Sequence, residues 1–330
     1  LICEDGAVPC RRGLARWDRA EDTALELPFE RAGSDLRLTG ETVSGTLART
    51  DAGIEMALKV ARLEPLNALL PEMLGLRALE GGVRVRGDLR LAAEGPESIA
   101  LELGLSGLGF DTASGQHAAA GVGLELDLAF ALATRELDLA LTWTAGEILS
   151  GPLYLPPPEA PLALTVRARG DADGCSWLIE RARAEQAGVV EAAGDGSLRV
   201  CDSPGLERIT LALSRLDLES AWDGALGSVA STYGWGDLSP SGRLVGRVAL
   251  SADGAIDAQV RLLEAALKDA RGRLGVEGLN AALVWRSDTA EFDARAQWSG
   301  AQLFRIPLGA SALGLVSATG SGGTPDLRLS

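Results

Sequence analysis

The stretch Gly121–Trp143, GVGLELDLAFALATRELDLALTW, decides how the rest of the sequence is read. Leu124, Leu126, Leu128, Phe130 and Leu132 fall on one phase of a period of two, and Glu125 and Asp127 fall on the other. After a turn over Ala133–Glu136 the alternation resumes with Leu137, Leu139, Leu141 and Trp143. Successive side chains of a strand point to opposite faces, so this pattern predicts a β-hairpin with one aliphatic and one polar face. The same alternation recurs over Val83–Leu91, Ile99–Leu105, Leu162–Val166, Val245–Leu250 and Ile256–Leu262, with Gly, Asp and Pro clusters between the runs.

Working outward, the stretch proves to have a second copy. Thr134–Trp143, TRELDLALTW, lies over Thr289–Trp298, TAEFDARAQW, at an offset of 155 residues, and each copy has a proline nine residues on, Pro152 and Pro307. Ile54–Leu70 lies over Ile209–Ala225 at the same offset, Leu79–Leu91 over Leu238–Leu250 at 159, and Ile99, Leu101, Leu103 and Leu105 over Ile256, Ala258, Val260 and Leu262 at 157. Offsets that drift by loop-sized steps while strand parity is kept describe two copies of one β-rich unit. The expected division is residues 1–155 and 156–330, the second copy continuous with the first, with Pro156–Pro158 marking an edge or a junction because proline cannot continue a ladder.

Propensity alone would make RLLEAALKDARGRLG, from Arg261, a helix. Its partner in the first copy, LGLSGLGFDTASG from Leu103, is studded with glycines that each cost a helix about 1 kcal/mol, so strand is the reading for both. Helix is expected once per copy, at Pro65–Gly75 and Glu219–Tyr233. Leu66, Leu69, Leu70 and Met73 in the first, and Trp222 and Leu226 in the second, are expected to act as a lid packed on the sheet.

Hydrophobic residues make up 46% of the chain and aromatic residues only 4%, and the mean hydropathy is +0.12. The apolar content is therefore Leu, Ala and Val, distributed to one side of strands. No run approaches the roughly 18 apolar residues of a membrane-spanning helix. With Tyr only at positions 154 and 233, the aromatic girdles of a membrane β-barrel are missing as well. A formal net charge of −15 and the lack of a basic stripe exclude nucleic acid as an expected partner. The chain opens at Leu1 with no signal-like segment ahead of it and is read as a segment of a longer protein.

Cys3 with Cys10 and Cys175 with Cys201 form two local pairs, read either as disulfides of an oxidising compartment or as small buried hydrophobes. Zinc is disfavoured, because no C-x-x-C spacing occurs and His117 is the single histidine. No nucleophile elbow, phosphate loop or metalloprotease motif is present. Glu102, Glu125, Asp127, Asp138 and Asp257 sit on the polar phase of alternating strands, where solvated acids belong. The reading is a non-enzymatic protein without a cofactor.

Alternating strands that lead into a short Leu-rich helix and then into an LxGxVxVxGxLxL strand, as at Leu79–Leu91 and Leu238–Leu250, resemble the AsmA-like and TamB-like envelope proteins, including the YdbH-type members. The resemblance covers roughly Gly45 to Leu308. It implies a mostly β fold in which a long, twisted antiparallel sheet curls into an open hydrophobic groove. It further implies a periplasmic location, an inner-membrane anchor, flanking repeats in the same longer chain, and phospholipid conducted toward the outer membrane. The residues that would line such a groove are Leu101, Leu103, Leu105, Leu124, Leu126, Leu128, Phe130, Leu137, Leu139, Leu141 and Trp143 in the first copy, and Ile256, Val260, Leu262 and Trp298 in the second. The competing expectation is a structural module with a closed core that assists outer-membrane assembly, because alternation is the same in a trough and in a sandwich.

Overall fold

The computed structural model describes residues 2–3, 12–20, 23–66, 76–93, 95–201, 204–289, 291–304, 306–319 and 325–329. It is mostly β, antiparallel and open. The chain divides into two compact units, residues 1–151 with 155–161 and residues 152–154 with 162–330.

In the first unit each strand pairs antiparallel with the next: β1 (Ile2–Cys3), β2 (Arg12–Ala20), β3 (Thr23–Ala32), β4 (Asp35–Thr39), β5 (Val43–Arg49), β6 (Gly53–Val60), β7 (Leu76–Ala92), β8 (Gly95–Thr112), β9 (His117–Ala131) and β10 (Glu136–Ser150). A short strand, β11 (Leu153–Leu155), precedes the proline triplet, which lies outside any strand. The second unit continues the same plan with β12 (Leu162–Gly170), β13 (Ser176–Gln186), β14 (Val190–Arg199), β15 (Gly205–Asp217), β16 (Leu238–Ser251), β17 (Ile256–Asp269), β18 (Leu274–Arg286) and β19 (Glu291–Trp298). Beyond them β20 (Gly300–Leu303) also pairs with β18, β21 (Ile306–Leu308) with β20, β22 (Ser311–Thr319) with β19, and β23 (Pro325–Leu329) with β22.

The two copies read from the sequence are visible as elements. β6, β7, β8 and β10 correspond to β15, β16, β17 and β19, and the Arg261 stretch that favours a helix by propensity is strand through Asp269. Between β15 and β16 the chain forms α1 (Leu218–Ala221), one wide π-type turn (Trp222–Leu226) and α2 (Gly227–Thr232). Asp217 caps α1, accepting from the Ser220 backbone N–H at 3.0 Å and from its hydroxyl at 2.9 Å. The Ser228 hydroxyl ties α2 to β11, accepting from the Tyr154 N–H at 3.1 Å. In the first copy the structure describes a single 3₁₀ turn, Glu64–Leu66, where the helix was expected to begin, and Leu69, Leu70 and Met73 lie outside the described residues.

Long strands bend where their ladders slip. In the first unit register shifts fall at one level across neighbouring strands, between Glu80 and Gly82, Leu105 and Gly107, and Trp143 and Ala145. In the second unit they fall between Ser241 and Arg243, Leu262 and Ala265, and Ala265 and Leu267 on β17, and the chain breaks at Ser299 between β19 and β20. Each unit thus carries a crease just beyond its tryptophan, because a bulge kinks its strand and raises the local twist. The creases share backbone chemistry: Gly121 and Gly278, 157 residues apart, have φ of +66° and +60°, and a Cβ on Gly278 would stand 2.4 Å from the Ser299 hydroxyl. Gly107 has φ +62°, and its counterpart at the same offset is Glu264, with φ +49°.

Cys175 and Cys201 form a disulfide that fastens the start of β13 to the end of β14, just beyond the Ser176–Arg199 pair. Closing a 26-residue separation stabilises a fold by about 3.5 kcal/mol in the chain-entropy account. The expected Cys3–Cys10 pair lies outside the described residues, since Cys10 is not among them.

A left-handed backbone costs a non-glycine residue about 1–2 kcal/mol, and glycine loses about 0.5–1 kcal/mol of its own through chain entropy. Glu264→Gly is therefore expected to stabilise the second unit by about 0.5–1 kcal/mol, read as a higher urea midpoint with an unchanged slope; a lower midpoint would contradict the bulge conformation at this position.

Candidate functional site

Residues directly opposite in an antiparallel ladder share a face, so the registers can be followed from strand to strand as rows. In the first unit one row runs Phe29, Leu38, Gly45, Leu58, Val85, Leu103, Leu126, Leu141. The next, toward the crease, runs Val43, Val60, Val83, Leu105, Leu124, Trp143. Away from the crease lie Leu36, Leu47, Met56, Gly87, Leu101, Leu128, Leu139, and then Ile54, Leu89, Ile99, Phe130, Leu137. All the first-copy residues singled out by alternation therefore belong to one aliphatic face.

The second unit repeats the arrangement with smaller side chains. One row is Leu164, Ala184, Ala192, Leu213, Gly246, Val260, Leu283, Ala294. A second is Leu216, Leu244, Leu262, Ala281, Ala296, Leu313, and Ile256 and Trp298 share the phase of these rows. A cleft of about 480 Å³ opens across β17, β18, β19 and β22, with residues of both phases on its walls, among them Leu262, Ala281, Ala296 and Arg295.

The opposite face is charged. Arg86 faces Glu102 and reaches it at 3.7 Å, Arg183 lies 3.6 Å from Glu191, and Arg286 pairs with Glu291 and, at 3.9 Å, with Asp257. These exposed pairs are each worth roughly 0–1 kcal/mol and serve mainly to keep that side in water.

Whether the aliphatic face is consumed by the protein's own interior is decided by burial. Among the described residues, backbone contact between strands follows the ladders, and the elements packed outside them are the 3₁₀ turn Glu64–Leu66, against β7, and α1, against β15 and β16. Among the described residues no large side chain is less than 2% exposed. The one core cluster gathers Val43, Val60 and Leu63 beside the crease of the first unit. Away from it the same face is open: Leu47 is 42% exposed, Met56 38% and Ile99 39%, and in the second unit Leu211 is 41% and Trp285 40% exposed.

Trp143 departs from the expected open lining. It is 8% exposed, and its indole N–H donates to the Ala145 carbonyl at 2.7 Å across the crease, so it closes one side of the face. The Trp298 indole N–H is also buried but meets no acceptor among the described residues, because the strand breaks at Ser299 where the first copy continues. Of the expected lid, Trp222 is half-buried, whereas Leu226 is 40% exposed. His117 opens β9 instead of lying in a loop, with Nδ1 3.1 Å from the Ser150 hydroxyl.

Among the described residues one charged side chain is buried. Asp269, 2% exposed in its side chain, closes the β17–β18 turn against Arg273, which donates from Nε at 2.7 Å, from a terminal nitrogen at 3.0 Å and from its backbone N–H at 3.0 Å. The Arg273 hydrogen bonds hold the carboxyl far below its ordinary range, outweighing the desolvation that opposes this. No group of three or more metal-ligating side chains occurs among the described residues, and no helix among them is long and apolar enough to cross a membrane.

Alternation missed Leu36, Leu38, Val43 and Leu47, because β4 and β5 are too short for a period of two to stand out. It also missed Ala184, Ala192, Ala281 and Ala296, whose small side chains carry little hydropathic contrast. No family model, curated protein or solved structure matches the chain.

Because the folded Asp269 carboxyl is more acidic than in the unfolded chain, its contribution to stability is complete above about pH 4 and is lost as pH falls. Asp269→Asn should lower the melting temperature at pH 7, and the gap to the parent protein should narrow steadily below about pH 4. A pH-independent gap would show that packing, and not the charge, is what Asp269 supplies.

Proposed function

We propose that the aliphatic face of each unit shields and conducts the acyl chains of phospholipids, as the groove of the AsmA-like and TamB-like envelope proteins is understood to do. The observation that carries this reading is a pair of faces built of aliphatic rows in an open sheet, with Leu47, Met56 and Ile99 left open at the margin of the first. Apolar surface removed from water is worth about 25 cal/mol per Å², and a half-buried leucine keeps much of that for a guest. The aliphatic side chains of the rows make no directional bonds, so a bound chain can slide along them.

The Cys175–Cys201 disulfide supports an oxidising compartment, for which the periplasm of a diderm envelope is the proposed site. Flanking repeats of a longer chain and an inner-membrane anchor belong to the same proposal. A closed scaffold module would need those rows buried under an opposing layer, and the exposure of Leu47, Met56 and Ile99 does not favour it.

Protein purified without detergent is expected to carry phospholipid on solvent extraction and mass analysis. Leu126 and Leu139 occupy adjacent rows in mid-face, and aspartate at either would place a carboxylate against the acyl chain. The L126D/L139D variant should keep the β-type circular dichroism spectrum and lose at least tenfold in lipid load, about 1.4 kcal/mol or more. A parent protein that emerges lipid-free and takes up none from vesicles would falsify the proposal.

A further inference from the structure

We infer that Arg31 and Arg49 form a seat for the anionic phosphate of a lipid headgroup at the open margin of the first unit's aliphatic face, an inference that rests on the lipid reading above. Arg31 faces Leu36, which faces Leu47, and Arg49 lies two residues beyond Leu47 and faces Ile54. Parity therefore puts both arginines on the aliphatic side of the sheet. From the crease to this margin, the other positions of that face on β4–β10 are apolar or glycine.

A charge on such a face calls for an explanation. Aliphatic rows have no use for an unpaired guanidinium, and the polar face opposite is where arginines of this protein find carboxylates, as Arg86 finds Glu102. Arg31 and Arg49 are both exposed, and neither forms an ion pair with a described residue. Arg31 donates one N–H to the Gly33 carbonyl at 3.0 Å and keeps its other donors. With one strand between them and a two-residue offset, their Cα atoms stand about 12 Å apart, a gap that two extended arginine side chains close over a single phosphate. The planar guanidinium matches phosphate with paired hydrogen bonds.

Position on the face gives the ligand its orientation. The crease side is closed by Val43, Val60 and Leu63, whereas Leu47, Met56 and Ile99 at the arginine side are open. Acyl chains lying on the closed part leave their polar end at the margin where the two cations stand. Elsewhere a formal net charge of −15 discourages anionic ligands, so the pair is a local exception.

The test loads the full chain from vesicles of dioleoyl phosphatidylglycerol or, separately, with dioleoylglycerol, which has the chains and no phosphate, and with glycerol 3-phosphate, which has the phosphate and no chains. R31Q/R49Q is expected to lower phosphatidylglycerol loading about tenfold and to leave dioleoylglycerol loading unchanged, with R31K/R49K falling in between. The parent protein should hold glycerol 3-phosphate at least a hundredfold more weakly than the lipid. Single R49Q, expected to lose about threefold, serves if the double variant does not fold. An unchanged preference for phosphatidylglycerol in the glutamine variants, while dioleoylglycerol still loads, overturns the arginine seat alone. Glycerol 3-phosphate bound as tightly as the lipid also overturns it, making the pair a free-phosphate site. Failure of the parent protein to load either lipid overturns the lipid reading and the seat together.

Discussion

Side-chain parity along the ladders is the constraint on which the rest of this structure depends. A strand has two faces, and a slip of one residue would exchange the aliphatic set for the charged set. The two copies show how strictly this is kept. Met56 faces Gly87 in the first unit, but in the second Gly246, the counterpart of Gly87, faces Leu213, the counterpart of Leu58. The register has moved by two residues, so both glycines remain on the aliphatic side. Insertions obey the same rule: Glu180 is an extra residue in β13, and the ladder resumes with Ile179 and Ala182 both on the aliphatic face.

Parity in an open sheet gives an unusual distribution of stabilising energy. Ladder hydrogen bonds and lateral side-chain pairs, each worth roughly 0.2–1 kcal/mol, replace the deep core of a sandwich. What deep packing exists is local, around Val43, Val60 and Leu63 beside the crease. Covalent and ionic fastenings stand at turns, where lateral contact runs out: the disulfide at the β13–β14 end and Asp269 with Arg273 at the β17–β18 turn. The open margins of the aliphatic face, at Leu47, Met56 and Ile99, keep a hydrophobic driving force that the fold itself does not use.

How much of this was legible in the sequence follows from strand length and side-chain size. Strands of 13–18 residues, such as β8 and β17, show many periods, and the repeat corrected propensity where they conflicted, at Arg261–Asp269. Short β4 and β5 show too few periods to reveal their phase, so the rows through Leu36 and Leu47, and with them the placement of Arg31 and Arg49, emerged only from the registers. Nor does composition distinguish a tryptophan that lines a face from one that seals it. Trp143 seals because a bulge two residues on turns a carbonyl toward its indole, a feature of backbone geometry that alternation does not encode.

The two units also differ in what the same rule lets them do. Between its crease and its margin the first unit carries large aliphatic side chains and two arginines without an ion pair among the described residues. The corresponding face of the second carries no charged residue on β12–β19 and has Ala281, Ala294 and Ala296 where the first has Leu124, Leu139 and Leu141. Small side chains lower the floor and leave room for a guest, while Gln186, the polar side chain in these rows, carries no charge to hold an anionic headgroup. On the proposed reading the first unit would orient a lipid by its phosphate and the second would only accommodate its chains. A uniform track would treat both ends of a lipid alike, and the arginine pair is what distinguishes them.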